Sequence, residues 1–369
     1  MKIHQRYMRR AIALALRAEG MTSPNPIVGA CIVKENKIVG EGFHKCAGLP
    51  HAEANALKAA ALAARGSTLY VTLEPCGHFG RTPPCTDAII ESGIKAVVIA
   101  MRDPNPINNG RGIRRLKKSG IEIVEGVLED AARAINRPYI KFITKGLPFV
   151  TLKLAESLDG RIATRLGDSK WITGADSRRY GQLIRSKVDA VMVGVNTIIR
   201  DNPRLTLRVA GYGLRVTKKR LVRIVLDSGL KTLLNAKVFL DSKKAPLVIA
   251  AAEPVDVKKK RTLEERGAEV LVVKSKGERV NIAGLLKILA KRGIMHVLVE
   301  GGGEVAGSIL DEGLADRVLF FIAPKIIGGR TAVPSVGGMG ASRISKAISL
   351  KGIKLRQFKR DILIEGEVA

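Results

Sequence analysis

Aromatic side chains are scarce in this sequence, and long hydrophobic runs are missing from it. Only 4% of the 369 residues are Phe, Trp or Tyr. Proteins that bind single-stranded nucleic acid stack bases on aromatic side chains, so a base-stacking surface is not expected. No apolar run approaches the roughly 18 residues of a membrane-spanning helix, and the first residues are amphipathic rather than signal-like. We therefore expect a cytoplasmic protein that does not insert into membranes.

Cysteine and negative charge are also in short supply. The four cysteines fit a reducing compartment. The 34 Asp and Glu stand against 63 Lys and Arg, which gives a formal net charge of +29. Such a charge fits nucleic-acid binding or a lysine-rich surface whose field attracts small anions. Because the basic residues are spread along the chain with few aromatics among them, we favour small anionic ligands and expect no nucleic-acid partner.

What the sequence does contain is a metal-binding pattern. His51 is followed by Glu53, Cys76 and Cys85, which matches the ligands and proton shuttle of a zinc-dependent nucleobase deaminase. Three protein ligands leave a fourth position for water, and zinc lowers the pKa of that water towards neutrality. The usual pattern places two residues between the cysteines, whereas eight separate them here. We predict that His51, Cys76 and Cys85 bind zinc and that Glu53 is the catalytic acid and base.

The first half of the chain alternates between helix and strand patterns. Apolar spacing predicts helices over residues 4–19, 51–64, 82–92 and 128–143. Strands are predicted over residues 30–33, 37–40, 68–73 and 95–101, with Glu35 and Asn36 at the first turn. The pattern predicts a layered α/β domain in which His51 and both cysteines lie at adjacent helix starts.

A chain of 369 residues is long enough for two domains, and a boundary is predicted near residues 146–148. Beyond it, strands are predicted over residues 149–155, 190–195, 223–226, 247–251, 270–273, 296–300 and 318–323. Helices are predicted over residues 177–187 and 282–292, with a charged helical face over residues 258–266 and a basic connector over residues 211–220. The second half is therefore expected to be another α/β domain.

A glycine cluster, EGGGEVAGS at residues 300–308, lies between a predicted strand and a predicted helix. Glycines let backbone amides approach a ligand closely, and the following helix N-terminus favours a phosphate. Gly301, Gly303 and Ala306 satisfy a relaxed dinucleotide-binding pattern, but no strand with a ribose-binding acid follows at the usual spacing. On spacing alone, a plain strand-to-helix turn and a phosphate cradle remain equally open.

Several longer motifs resemble a known family. PNPIVGA (residues 24–30), VTLEPCGHFGRTPPC (71–85) and MRDPNP (101–106) are similar to the deaminase half of the bifunctional riboflavin-biosynthesis deaminase/reductases. LKLAESLDGR (152–161), WIT (171–173) and DNPRLT (201–206) resemble the reductase half. The resemblance covers essentially the whole chain. It implies a cytidine-deaminase-like three-layer α/β domain over residues 1–146 and a dihydrofolate-reductase-like domain over residues 147–369.

The resemblance also implies chemistry. The first domain would deaminate 2,5-diamino-6-(5-phosphoribosylamino)pyrimidin-4(3H)-one with zinc, and the second would reduce the ribosyl side chain to ribityl with NADPH. Residues implied to line the cofactor are Ala155, Trp171, Thr197, Asp201, Ser228, Gly302, Gly303, Glu304, Val305, Ala306, Gly307 and Ser308. Residues implied to contact substrate are Asn25, Ser169, Arg185, Leu205, Arg208 and Glu300. We also expect a homo-oligomer.

The residues themselves support several of these implied roles. Arg185 and Arg208 can hold a sugar phosphate by forked, charge-assisted hydrogen bonds. Glu300 can accept hydrogen bonds from ribose hydroxyls. Asn25 can both donate to and accept from a base edge, although a turn residue between two prolines is the alternative. Lys153 lies in the LKLAESLDGR motif (residues 152–161), and we assign it no role.

Two other functions remain open. A tRNA or nucleoside deaminase with a basic accessory domain would share the zinc site, although the long gap between the cysteines and the reductase-like second half stand against it. Alternatively, the second half could be a regulatory or substrate-binding module without activity of its own. Glu300, Asp201 and the glycine cluster argue against that interpretation, and an NADPH oxidation assay would decide.

Overall fold

The structure is a computed structural model that describes residues 2–79, 83–208, 220–242 and 244–369. The chain divides into two compact units, residues 1–147 and residues 148–369. Of the basic connector predicted over residues 211–220, residues 211–219 lie outside the described parts of the chain.

The first unit contains six α-helices and five strands among its described residues. The helices are α1 (Lys2–Leu16), α2 (Ala52–Ala60), α3 (Cys85–Glu91), α4 (Arg111–Lys118), α5 (Glu129–Ile135) and α6 (Arg137–Lys145). The strands are β1 (Gly29–Lys34), β2 (Lys37–Phe43), β3 (Thr68–Leu73), β4 (Ala96–Met101) and β5 (Glu122–Glu125).

These strands form one sheet in the order β2-β1-β3-β4-β5. β1 is antiparallel to both its neighbours, whereas β3, β4 and β5 run parallel. Strands β1, β3 and β4 are buried along nearly their whole length, as expected for a sheet that helices cover on both faces. The packing is close: a Cβ atom added at Gly29 would lie 2.0 Å from the Ala11 carbonyl oxygen of α1, and one at Gly42 would lie 2.3 Å from that of Ala52.

Most predicted elements of this unit are confirmed, and three details are wrong. The helix predicted over residues 51–64 ends at Ala60 and continues as a 3-10 turn to Ala64. The helix predicted over residues 128–143 is two helices that meet at Asn136, whose side chain instead hydrogen-bonds the backbone of Ile27. His51 and Cys85 lie at helix starts as predicted, but Cys76 lies in the loop after β3.

The second unit is larger. Its described helices are α7 (Ala175–Ser186), α8 (Val195–Asp201), α9 (Val257–Glu265), α10 (Ile282–Lys291) and α11 (Gly303–Asp311). Its described strands are β6 (Phe149–Ser157), β7 (Arg161–Ala163), β8 (Ala190–Gly194), β9 (Val222–Leu226), β10 (Leu247–Ala252), β11 (Glu269–Val273), β12 (Ser275–Lys276), β13 (Arg279–Val280), β14 (His296–Glu300), β15 (Arg317–Ala323), β16 (Val333–Pro334), β17 (Leu350–Phe358) and β18 (Asp361–Val368).

Nine of these strands form a sheet in the order β11-β10-β9-β8-β14-β6-β15-β18-β17. The first seven are parallel, and the hairpin of β17 and β18 adds two antiparallel strands at the edge. Because parallel strands end at the same edge, β6, β8, β9 and β14 present their carboxyl ends together, which is where open α/β sheets bind ligands. The seven predicted strands are confirmed, whereas the β17–β18 hairpin was missed.

Candidate active sites

The predicted zinc ligands converge in the first unit. His51 precedes the first residue of α2, Cys85 is the first residue of α3, and Cys76 follows β3 after a short loop. The Nδ1 atom of His51 lies 3.2 Å from the Sγ atom of Cys85 and 3.7 Å from that of Cys76. The three donor atoms lie within 4.8 Å of one another. One nitrogen and two sulfur donors at this spacing suit a tetrahedral zinc ion with one further position.

The two thiols also show the electrostatics of a metal site. The backbone N–H of Cys85 donates to the Sγ of Cys76 at 3.2 Å. A hydrogen bond from the Cys85 thiol is the main cause that lowers the pKa of Cys76 to about 4, and the same contact raises the pKa of Cys85. Cys76 is therefore the thiol that more readily loses its proton, and the thiolate is the form in which cysteine binds zinc.

Glu53 lies beside these ligands without being one of them. It occupies the first turn of α2 and is 4% exposed. Burial, and secondly the nearby charge of Cys76, raise the pKa of Glu53 to about 7. Among the described residues, the metal-binding group consists of His51, Cys76 and Cys85. Glu53 is therefore placed to exchange a proton near the metal position.

Asn25 reaches the same site through a histidine that sequence reasoning missed. The Asn25 Nδ2 atom lies 3.1 Å from the Nε2 atom of His44, whose Nδ1 atom lies 3.3 Å from the Pro50 carbonyl oxygen. The His44 ring stands edge-on to the His51 ring with centroids 5.3 Å apart. Burial lowers the pKa of His44, which favours the neutral ring that can accept from Asn25. His44 stands in no recognisable motif, so only the fold brings it to the site.

Glu74, two residues before Cys76, fixes the loop around the site. Its buried carboxylate accepts backbone N–H groups from Asp103 at 3.1 Å and Ile113 at 3.2 Å, among others. Asn108 from the same segment accepts the backbone N–H of the residue after Cys76 at 2.9 Å. Charge-assisted hydrogen bonds of this kind are strong. Glu74 and Asn108 therefore position Cys76, and sequence patterns gave no sign of either role.

The second site is a cleft of about 1660 Å³ in the second unit. It opens at the carboxyl ends of β6, β8, β9 and β14 and at the start of α11. The residues from the predicted site that line it are Ala155, Ser169, Trp171, Arg185, Thr197, Asp201, Leu205, Arg208, Ser228, Glu300, Gly302, Gly303, Glu304, Val305 and Ser308. Ala306 and Gly307 do not line the cleft; both are buried in α11. The individual roles of these residues remain predictions.

The glycine cluster forms the turn between β14 and α11. Gly301 and Gly302 have φ angles of 87° and 83°, a conformation that other residues rarely adopt. A Cβ atom added at Gly303 would lie 2.5 Å from the Pro334 carbonyl oxygen. The turn therefore requires glycine, and it brings the N-terminus of a nine-residue helix to the cleft. Such a helix N-terminus suits a phosphate group, which favours the phosphate-cradle interpretation.

Arg185, Glu300 and Lys153 form a charged cluster in the lining of the cleft. Arg185 donates to the Oε2 atom of Glu300 through Nε at 2.9 Å and also through Nη2, and through Nη1 to the Thr206 carbonyl oxygen at 3.3 Å. Burial alone would raise the pKa of Glu300, but the charges of Arg185 and Lys153 hold it below its usual range. Burial lowers the pKa of Lys153. In this arrangement Arg185 binds Glu300 rather than standing free for a phosphate, whereas Arg208 is exposed at the cleft.

Other predicted residues that line the cleft contact one another or their neighbours. The Ser169 hydroxyl donates to Asp201 Oδ1 at 2.8 Å, and Lys170 Nζ donates to the Asp201 carbonyl oxygen at 3.1 Å. Trp171 is 60% exposed, and the Arg178 guanidinium lies 4.5 Å from the centre of its ring. An exposed apolar ring that lines a cleft is a suitable wall for a flat ligand.

Comparison with known proteins gives the class: a zinc-binding pyrimidine deaminase domain joined to a reductase domain. Residues 1–101 match the cytidine and deoxycytidylate deaminase zinc-binding region, and residues 148–364 match the RibD C-terminal domain. The chain is 46% identical to riboflavin biosynthesis protein RibD of Aquifex aeolicus over 363 residues, covering 98% of both chains. It is 36% identical to that of Escherichia coli, covering 97% of both. The chain belongs to the RibD family of riboflavin biosynthesis proteins.

Solved structures agree. One neighbour is RibD of Acinetobacter baumannii, with a TM-score of 0.88 and 35% identity. Another is the diaminohydroxyphosphoribosylaminopyrimidine deaminase/5-amino-6-(5-phosphoribosylamino)uracil reductase of Thermotoga maritima, with a TM-score of 0.85 and 38% identity. Each comparison covers 100% of this chain and 99% of the other.

The family membership settles several expectations. The predicted fold class, a cytidine-deaminase-like domain followed by a dihydrofolate-reductase-like domain, is confirmed. The chain is a deaminase and a reductase, with zinc and NADPH as cofactors. The alternative of a tRNA or nucleoside deaminase with a basic accessory domain is wrong, because the second half is the reductase domain of this family. None of the described helices is long and apolar enough to cross a membrane.

Proposed function

We propose that the two units catalyse consecutive reactions on one small phosphorylated pyrimidine. The first unit removes the 2-amino group of 2,5-diamino-6-(5-phosphoribosylamino)pyrimidin-4(3H)-one, and the second reduces the ribosyl group of the product to ribityl. The observation that carries the proposal is the presence in one chain of the converging His51, Cys76 and Cys85 ligands and the glycine-bounded cleft. The Thermotoga maritima neighbour, which is named as a deaminase of the diaminopyrimidine and a reductase of the phosphoribosylamino-uracil, supports the substrates and their order.

Deamination replaces a C–NH2 bond by C=O, with water consumed and ammonia released. Zinc held by His51, Cys76 and Cys85 would supply Lewis-acid activation of water. Glu53 would take a proton from that water and deliver protons to the pyrimidine and the departing amine. Its burial beside the ligands and a pKa raised to about 7 suit a group that must both accept and donate protons near neutral pH.

The Asn25 carboxamide would orient the pyrimidine. Its hydrogen bond with His44 fixes the amide on one side, which leaves the carboxamide oxygen and the second N–H for a base edge. His44 would therefore act as a positioning residue, since it holds Asn25 next to His51.

In the second unit, bound NADPH would supply the hydride that is transferred to C1′ of the sugar. The charges of Arg185 and Lys153 lower the pKa of Glu300, which favours its carboxylate form. This carboxylate would accept hydrogen bonds from the ribose hydroxyls. Arg185 would position Glu300 rather than bind phosphate, because its guanidinium already donates to that carboxylate. Lys153 lies in the same cluster with a lowered pKa and is our candidate for the group that protonates the opening sugar.

The phosphate of the substrate would be bound by Arg208. Arg208 is exposed at the cleft, and its backbone N–H is held by Gln182 Oε1 at 3.0 Å. Basic side chains outnumber acidic ones among the residues that line the cleft. A phosphorylated substrate and a polyanionic cofactor would thus enter a favourable electrostatic field.

Glu300→Gln is expected to lower the kcat/KM of reduction by about 10- to 100-fold, because it removes a charged acceptor and the negative charge that pairs with Arg185. NADPH oxidation is measured with supplied deaminated intermediate. Ammonia release is measured in a separate assay with the diaminopyrimidine substrate. Ammonia release should be unchanged, and Glu269→Gln, which removes an exposed partner of Arg292, is the control. Normal reduction by Glu300→Gln would remove Glu300 from the substrate site.

The high charge would serve these small anions and not a nucleic acid, and we place the protein in the cytoplasm. The four cysteines are free in the structure, as reducing conditions would keep them. A base-stacking surface is not expected from the 4% aromatic content. Tight, salt-resistant binding of tRNA in a filter assay would contradict this part of the proposal.

We also propose that the protein is a homo-oligomer that assembles through the β17–β18 hairpin. β17 is the edge strand of the nine-stranded sheet. Leu355 and Ile362 lie on one face of this hairpin and are 70% and 46% exposed. Exposed apolar edges pair readily with another chain, and a second copy would bury these side chains.

Leu355→Asp is expected to weaken self-association by about tenfold or more, because burying one leucine contributes about 1.5–3 kcal/mol. Light scattering after size-exclusion chromatography would measure the change. Lys351→Asp on the same strand is a control for added negative charge. An oligomer unaffected by Leu355→Asp would show that this hairpin is not the interface.

A further inference from the structure

The hairpin of β12 and β13 carries two basic side chains at the edge of the reductase cleft. Lys276 ends β12 and Arg279 begins β13, with Gly277 and Glu278 forming the turn between them. Both basic residues line the cleft, and their side chains are 62% and 67% exposed. Neither residue belongs to the motifs that placed the substrate and cofactor.

The strand order places this hairpin away from the substrate end. Lys153 on β6 and Glu300 at the end of β14 mark the substrate end, and β8 separates β14 from β9. Ser228, two residues beyond β9, accepts the backbone N–H of Val280 at 3.1 Å. The hairpin is therefore tied to the β9 side of the cleft, on the opposite side of β8 from the reacting groups.

The orientation of the cofactor follows from this arrangement and rests on the proposed reduction. The nicotinamide must lie beside the sugar, near Glu300 and Lys153. The glycine turn and the α11 N-terminus suit the pyrophosphate. The adenosine end, with its 2′-phosphate, then extends towards Ser228 and the hairpin. We propose that Lys276 and Arg279 bind the adenosine 2′-phosphate and make the enzyme select NADPH over NADH.

Lys276 and Arg279 each form an ion pair that a bound phosphate could replace. Arg279 Nη2 lies 3.3 Å from Glu304 Oε2, and Lys276 Nζ lies 3.2 Å from Glu312 Oε1. Exposed pairs of this kind contribute little, whereas a phosphate dianion accepts several charge-assisted hydrogen bonds. Glu304 also lies in the first turn of α11, and its negative charge would oppose a polyanionic cofactor. Arg279 offsets that charge at the entrance.

A third basic residue near Ser228 is the alternative candidate for binding the 2′-phosphate. Lys231 lines the cleft and follows Ser228 in the loop after β9. Its backbone N–H donates to Asp227 at 2.8 Å, so the loop that carries it is fixed independently of the hairpin. The two assignments therefore predict different variants that lose the preference for NADPH.

The test is equilibrium binding of NADPH and NADH to the full-length protein. The chain has one tryptophan, Trp171, which lines the cleft, so quenching of its fluorescence reports binding without turnover. Lys276→Ala and Arg279→Ala are each expected to raise the Kd of NADPH about tenfold, the value of one charge-assisted contact. The Kd of NADH should stay within about twofold.

Lys274→Ala is the matched control, since Lys274 is exposed beside the hairpin but does not line the cleft. Equal weakening of NADPH and NADH by the hairpin variants would overturn the proposal, because it would indicate a general field or a pyrophosphate contact. Loss of the preference in Lys231→Ala, with both hairpin variants unchanged, would overturn it too. A wild-type protein that binds neither cofactor would overturn both this proposal and the proposed reduction, whereas the first two results leave the reduction intact.

Discussion

Glu53→Gln is expected to lose deamination by about 10²- to 10⁴-fold, the usual contribution of a placed general acid and base. The substitution keeps the shape of a side chain that is 4% exposed and removes its ability to exchange protons. Zinc should remain at one ion per chain, because the ligand atoms belong to His51, Cys76 and Cys85. Ammonia release and metal analysis on the same preparation would measure both properties.

Two controls make that result specific. Reduction of supplied deaminated intermediate by Glu53→Gln should match the wild type, since the cleft lies in the other unit. Glu41→Gln removes a carboxylate of the same unit that pairs with Arg10 at the surface, and it should deaminate normally. Deamination by Glu53→Gln at close to the wild-type rate would show that another group moves the protons.

Cys85→Ser is expected to lose most of its zinc and, with it, deamination. Changing a residue that merely orients a ligand already costs about 10- to 100-fold in metal affinity, and Cys85 is a proposed ligand whose Sγ lies 3.2 Å from His51 Nδ1. Metal analysis after dialysis against a chelator would measure the loss. Zinc at one ion per chain in Cys85→Ser would remove Cys85 from the site.

The other two cysteines supply the matched controls for zinc. Cys46→Ser changes a half-buried thiol outside the ligand group and should keep both zinc and activity. Cys31→Ser should also keep zinc, although it places a hydroxyl in the core, where Cys31 is fully buried. NADPH oxidation with supplied intermediate should be normal in all three variants, because the reductase cleft contains none of these cysteines.

Local patterns predicted much of the fold because the strands are strongly apolar and the turns are short. The turn at Glu35 and Asn36 joins β1 and β2 as predicted, with both residues at positive φ. The parallel strands of the second unit were found because they are buried continuous apolar runs. The β17–β18 hairpin was missed because β17 is exposed along nearly its whole length and carries no apolar alternation.

The zinc ligands could be predicted because their residue types are demanded by the metal. The supporting residues could not, because their roles depend on contacts between distant segments. Glu74 reaches a backbone N–H 39 positions along the chain, and Asn25 meets His44 across 19 positions. Arg185 and Glu300 are separated by 115 positions. The sequence suggested that Arg185 binds a sugar phosphate, and only the fold shows that its guanidinium donates hydrogen bonds to Glu300.

The two consecutive reactions can be followed in a single incubation. Purified full-length protein is incubated with the diaminopyrimidine substrate, with and without NADPH, and the products are separated and identified by mass. Without NADPH, we expect one ammonia per substrate and accumulation of the deaminated, unreduced product. With NADPH, we expect the ribityl product and one NADPH oxidised per ammonia released. Ammonia release without NADPH oxidation in the mixture that contains NADPH, or reduction of substrate that still carries its 2-amino group, would contradict this order of reactions.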